Sequence, residues 1–187
     1  GASLTALNAS ELGSGTVPTA RLGSGTASSS VFLAGDNTWA AAGGDNTPYV
    51  VVRPSGNTTI SDATWTTVTL DNEILDSDGA FSSNTFTVPS GKAGKYLISY
   101  SVRTLCSTFA ISTEATIGID GTRDNVPLQD WNFDPDYEVK IFTLSNTYIK
   151  DLSVGEAVTL EHTANTDGGS PEIREFGTYL SIMRILT

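Results

Sequence analysis

The stretch Thr85 to Arg103, TFTVPSGKAGKYLISYSVR, constrains this chain most. In its second half Tyr96, Ile98, Tyr100 and Val102 fall on one face of an extended segment and Ser99, Ser101 and Arg103 on the other. A period of two is met only by a β-strand, and one apolar face makes it half-buried. Before it, Thr85 to Val88 form a short strand ended by Pro89, which has no N–H to give a ladder, and Ser90 to Gly94 supply turn residues. From Tyr49 onward the same pattern recurs. Tyr49 to Arg53 is an apolar run closed by Pro54-Ser55-Gly56-Asn57, Val68 and Leu70 share a face in Thr66 to Leu70, and Ala115, Ile117 and Ile119 alternate before Asp120-Gly121. Val139 to Leu144 and Tyr148 to Leu152 read as two further strands; Val158, Leu160 and His162 alternate with Thr159 and Glu161; Thr178 to Leu186, apolar on both faces, reads as a central strand. About eight to ten short strands and no convincing helix predict an all-β, two-sheet sandwich or jelly roll.

At 187 residues the chain suits one domain plus an appendage. No 18-residue apolar run crosses a membrane as a helix, and no signal-peptide pattern opens the sequence. The single Cys106, after Leu105, reads as a small buried hydrophobe. A formal net charge of −11 repels phosphate backbones and anionic lipid, which argues against nucleic-acid binding and membrane association.

The first 45 residues are of another kind. Residues 11–17 read ELGSGTV and residues 21–27 read RLGSGTA, so Leu12 and Leu22, Gly13 and Gly23, Ser14 and Ser24, Gly15 and Gly25, and Thr16 and Thr26 recur at a spacing of ten. One such unit has too few apolar side chains for a core, and two along one chain are too few to stack, which points to neighbouring chains as the ordering partner; a plain Gly/Ser linker is the alternative. Val31 to Ala40, VFLAGDNTWA, follows, with a turn at Gly35 to Asn37 and apolar anchors at Phe32, Leu33 and Trp39. These blocks resemble the thin shaft repeats of bacteriophage tail fibres and the phrase that precedes their terminal domains. The resemblance implies a fibre shaft and connector at 1–45 and a head at 46–187.

The head has its own resemblance. The Asp71-Asn72-Glu73 strand end, Phe81, the Phe-Thr-Val-Pro edge of 86–89, the aromatic strand 96–102, the phrase Leu152, Gly155, Glu156, Val158, and the aromatic-rich last strand follow the order of the jelly-roll heads of complement subcomponent one-q and tumour necrosis factor. That implies a trimeric jelly roll over roughly residues 49 to 187. Here Gly177 follows Phe176 directly, where those heads place the glycine two residues on, and no collagen stalk is present, so fold and trimeric state carry over and immune ligands do not.

Catalytic constellations are thin. His162 is the only histidine and lies on the apolar Val158-Leu160 face, which predicts a hydrogen-bonded core or interface residue. Asp76, Asp78 and Gly79 resemble half of a calcium loop, but the twelfth position is Thr87 and a solvated turn is the better reading, so neither a metal nor another cofactor is expected. The richest candidate is Gly121 to Tyr137, too long for a hairpin turn, where Trp131, Phe133 and Tyr137 interleave with Asp130, Asp134 and Asp136. Aromatic faces stack on sugar rings and carboxylates accept hydroxyl hydrogens, so Trp131, Phe133, Asp130 and Asp134 are the candidate receptor-binding residues; packing against a neighbouring subunit is the competing role. The Thr163 to Glu175 connection is the second candidate surface.

The sequence therefore predicts a homotrimeric, non-enzymatic tip at the distal end of a virion tail fibre, joined to the rest of that fibre and attaching to a host cell-surface glycan or protein receptor. A polysaccharide-degrading fibre enzyme and a cellular adhesion or signalling ligand of the same fold are the alternatives.

Overall fold

The computed structural model describes residues 22–29, 31–41, 46–134 and 140–185. The chain divides into two compact units, Gly1–Asp45 and Asn46–Thr187. In the first unit β1 (Val31–Leu33) and β2 (Trp39–Ala41) form an antiparallel hairpin. Asp36 closes its turn by accepting from the backbone N–H (3.0 Å) and hydroxyl (2.6 Å) of Thr38, and these bonds lower its pKa. The second copy of the ten-residue repeat lies against this hairpin: the Ser24 N–H donates to Asn37 O at 2.8 Å and the Trp39 N–H to Ser24 O at 2.9 Å. In the described copy both backbone groups of Ser24 are thus bonded within the chain. The first copy lies outside the described residues.

The second unit contains β3 (Tyr49–Arg53), β4 (Thr58–Thr59), β5 (Thr66–Thr67), β6 (Asn72–Asp76), β7 (Phe81–Ser82), β8 (Thr85–Thr87), β9 (Gly94–Cys106), β10 (Ala110–Ile119), β11 (Thr122–Arg123), β12 (Gln129–Asn132), β13 (Ile141–Leu152), β14 (Ala157–Thr166), β15 (Pro171–Ile173) and β16 (Tyr179–Arg184). They build two antiparallel sheets. One runs β4-β15-β9-β16-β3-β6 with β13 on the other edge of β9; the other runs β11-β10-β14-β8-β7, with β12 also on β10 and β5 on β14. This is the all-β jelly-roll architecture that the alternation predicts.

The core confirms the faces read from the sequence. Tyr96, Ile98, Tyr100 and Val102 are fully buried between the sheets, opposite Val158 and Leu160, and Leu180 and Ile182 of β16 join them from its central place between β9 and β3. Phe86 and Tyr96 meet edge to face at 5.7 Å. Cys106 is buried, and burial, helped by the nearby Asp62 charge, pushes its thiol up to about 11.

Several boundaries differ from the sequence reading, each for a visible reason. The segments expected at Val139 to Leu144 and Tyr148 to Leu152 are, from Ile141 on, one strand, β13, because the polar residues between them have partners; Val139 lies outside the described residues. Asn146 donates to Pro127 O at 3.0 Å and the Thr147 hydroxyl pairs with that of Ser99 at 2.8 Å. The strand expected to end near Asp71-Asn72-Glu73 instead begins there, as β6. Val68 and Leu70 are buried as expected although the strand stops at Thr67, since the Leu70 N–H bonds the Asn84 side chain and not a ladder. Asp76 accepts backbone N–H donors from Ala80 and Phe81 at 2.9 and 2.8 Å, so its carboxylate braces a turn.

Candidate functional site

The chain enters the jelly roll at one end, where Pro48 O accepts the Arg184 N–H at 3.0 Å and Lys95 O accepts that of Ile185 at 2.7 Å. The opposite end is built from the turns after Cys106, Asn132, Thr166 and Ile173. Short backbone bonds tie them together: Phe133 N to Ile111 O at 2.9 Å, Cys106 N to Lys140 O at 2.7 Å and Asp167 N to Phe109 O at 3.2 Å. Both surfaces singled out from the sequence therefore meet at this end, one on either side of the turn joining β9 to β10.

The described part of the region, Gly121 to Asp134, is not a free loop. Thr122–Arg123 and Gln129–Asn132 are strands on β10, with Trp131 opposite Thr113 and Asp130 opposite Glu114. Three side chains hold the bulge between them: the Tyr100 hydroxyl lies at hydrogen-bond distance from Ala115 O and Pro127 O, Asn146 bonds Pro127 O, and Lys150 pairs with Asp124 at 2.7 Å. Burial raises the Asp124 pKa, but the bonds from Lys150 and Val126 and the Lys150 charge outweigh it and the net shift is downward.

Strand alternation then separates the four candidate residues. Gln129, Trp131 and Phe133 share the face on which Ala115 and Thr113 are buried, whereas Asp130 and Asn132 point to the other side. Phe133 packs on Phe142 (5.3 Å between rings) within a small core of Cys106, Ala110 and Ala164. Trp131 meets Phe133 edge to face at 6.1 Å and stays 46% exposed. Asp130 and Asp134 are exposed. Trp131 is thus half open to solvent, Phe133 is mainly its support, and Asp130 stands on the opposite face. Asp136 and Tyr137 lie outside the described residues.

The Thr163 to Glu175 segment is also more ordered than its composition implies. Thr163, Ala164 and Thr166 are buried in β14, and the Asp62 carboxylate accepts both the N–H and the hydroxyl of Thr166 at 2.8 Å. Residues 167–170 link β14 to β15, and Gly169 sits so close to Thr108 that a Cβ there would lie 2.2 Å from its hydroxyl.

Two features were missed by sequence reasoning. The first is a pocket of about 130 Å³ at this same end, lined by Arg103, Leu105, Ile141, Arg174 and Phe176. Its signal was present in the Phe176-Gly177 adjacency, which throws Phe176 out to 68% exposure. The second is an apolar band on the outer face of the sheet containing β9. Ile149 lies opposite Leu97, Leu97 opposite Met183, and Met183 opposite Tyr49, so four strands contribute to one row. Ile149, Tyr49 and Met183 are 59%, 40% and 37% exposed. Leu75, opposite Val51, extends the patch at 48%. A row of this kind in a sheet centre is unusual for a surface facing water.

His162 is fully buried, as the alternation requires, and is held from both sides by Thr104 and Glu114. It cannot reach solvent as a general base.

With this geometry in hand, the fold can be compared with solved structures. Murine APRIL, in a crystal structure at pH 5.0, matches with a TM-score of 0.54 at 14% identity, covering 73% of this chain and 98% of that one. The Eiger TNF of S. frugiperda matches with a TM-score of 0.53 at 10% identity, covering 74% and 92%. The globular domain of zebrafish complement 1qA gives 0.49 at 13% identity, covering 75% and 98%. The likeness to APRIL and the Eiger TNF is one of fold, a two-sheet jelly roll. No protein-family model and no curated protein sequence matches the chain.

Proposed function

We propose that this chain is the trimeric, non-enzymatic, receptor-binding tip of a bacteriophage tail fibre, located at the distal end of the fibre on the virion and attaching to a host cell-surface glycan. The observation that carries the reading is the pairing, in one chain, of a two-sheet jelly roll with a Leu-Gly-Ser-Gly-Thr repeat whose second copy is seated on the VFLAGDNTWA hairpin. The repeat and the hairpin are what fibre shafts resemble; the jelly roll is a fold suited to ligand and adhesion roles.

The apolar row of Ile149, Leu97, Met183 and Tyr49 supports self-association, since burying it against copies of the chain removes from water side chains that a monomer exposes. The end of the jelly roll opposite the entry of the chain carries Trp131, half exposed, as the candidate contact residue. Burial of His162, the one histidine of the chain, supports the non-enzymatic part.

A cellular adhesion or signalling ligand is the second reading, favoured by the likeness to APRIL and the Eiger TNF. The test is attachment: the purified protein, with a mass by light scattering of three times 19.6 kDa, should bind bacterial cells and release no reducing ends from their polysaccharide. A monomer, or an oligomer that cleaves the polysaccharide, would overturn the proposal.

A further inference from the structure

We propose that the pocket of Arg103, Leu105, Ile141, Arg174 and Phe176 binds the carboxylate of an acidic sugar, with the apolar face of the ring against Phe176, Leu105 and Ile141. The chain holds ten Lys and Arg against 21 Asp and Glu, yet two of the ten converge on one small cavity with apolar walls. That is the composition a carboxylate-bearing pyranose needs: a planar donor fork for the carboxylate and a hydrocarbon wall for the ring. The volume of about 130 Å³ suits one such ring edge.

The pocket is held in place by its own backbone. Gly177 adopts φ +97°, and a Cβ at that position would lie 3.0 Å from Cδ and 3.2 Å from Cβ of Arg103. The stem of Arg103 therefore rests on this glycine, which both permits the turn and lets the arginine lie across it. Around it the Ser101 hydroxyl donates to Gly177 O at 2.8 Å, the Arg103 N–H to the Thr178 hydroxyl at 3.0 Å, and the Arg174 N–H to Arg103 O at 2.8 Å. Arg174 is oriented by an ion pair with Glu172, which occupies one of its nitrogens and leaves others for a ligand. Among the described residues the Arg103 side chain has no carboxylate partner within ion-pair distance. The two arginines thus differ in role: Arg103 supplies the uncompensated charge and Arg174 a fixed second set of donors.

This inference rests on the glycan-attachment reading and names the chemistry of the glycan. The experiment uses the full chain, isotope-labelled, with sodium glucuronate, sodium acetate and methyl glucoside as probes and the side-chain Nε–H resonances of arginine as readout. Glucuronate should shift the Arg103 signal saturably, acetate much less and methyl glucoside not at all. Arg103→Ala should weaken glucuronate binding about tenfold or more, Arg103→Lys by less, and Phe176→Ala should bring glucuronate down to the acetate level. Equal response to acetate and glucuronate, or no response in the assembled protein, would overturn it. Protein that binds cells but ignores glucuronate removes the pocket and keeps attachment; protein that binds glucuronate but no cells does the reverse.

Discussion

Thr104 and His162 are bonded across the interior, hydroxyl to Nε2 at 2.9 Å, joining β9 of one sheet to β14 of the other. The Nδ1 of the same ring lies 2.9 Å from Glu114 O, which can only accept, so Nδ1 carries the proton and Nε2 accepts from Thr104. The neutral imidazole is thus the form the core is built for. Burial pushes the His162 pKa down from 6.5 to about 4, and the bond to Glu114 only partly offsets this.

Acid should therefore weaken the fold before most carboxylates titrate. The unfolded chain takes up this proton near 6.5, whereas the folded chain holds it off until about 4. Stability from His162 is fully present above 6.5 and is lost as pH falls towards 4. The loss between pH 7.5 and 5 should be roughly 2 kcal/mol, and about 3 kcal/mol in all. Urea unfolding at pH 7.5, 6 and 5 measures it; a flat profile over that range would show that the imidazole is not sealed. Thr104→Val should lower stability at neutral pH, because Nε2 loses its donor while still buried.

The apolar row makes a prediction about assembly. Met183→Glu or Ile149→Asp places a charge where the proposed trimer buries side chains, and an unpaired buried charge costs roughly 3 to 5 kcal/mol. Each variant should run as a folded monomer of 19.6 kDa, with the β-sheet circular dichroism of the parent. Because these side chains face away from the core, loss of the fold itself would mean that the outer face has been misassigned.

How far the sequence carried the argument depended on what each segment relied on. The faces of β9, β14 and β16 were legible because a strand covered on one side must repeat every two residues: Tyr96 to Val102, Val158 to His162 and the pair Leu180, Ile182 are all buried. Asn146 in β13 was illegible because a polar residue inside a strand looks like a turn until its distant partner, Pro127 O, is known. The candidate site was half legible. Trp131 is indeed displayed, but its separation from Asp130 follows from pairing with β10, and the register of a short strand after a long bulge is not written in its composition. The arginine pocket brings together residues from two strands and a turn, so no local pattern contained it.

Trp131 and Phe133 should separate on mutation. Phe133→Ala removes a partly buried ring packed on Phe142 and should cost up to about 3 kcal/mol, lowering the melting temperature. Trp131→Ala removes a ring that is 46% exposed and should cost much less, while reducing attachment to host cells. If the Trp131→Ala trimer attaches as well as the parent, the exposed face of Trp131 is not the contact surface.

The last prediction concerns the docked repeat. Gly25 adopts φ +94° over the backbone of Trp39, and a Cβ at Gly23 would lie 2.5 Å from both Asn37 O and Leu33 Cδ1. The two glycines of the repeat are thus demanded by the hairpin it rests on: one by backbone conformation, the other by space. Gly23→Ala should force Ser24 away from Asn37 and Trp39 and break the two backbone bonds that seat it. Gly25→Ala should strain the same contact by roughly 1 to 2 kcal/mol. Amide exchange read at Trp39 should accelerate in both variants, more in Gly23→Ala, and a protease should cut sooner between residues 22 and 41. Trp39→Ala should have the same effect by removing the surface under Gly25. Unchanged protection of the Trp39 amide in Gly23→Ala would show that the repeat is not held by the hairpin, and would return its ordering to contacts between chains.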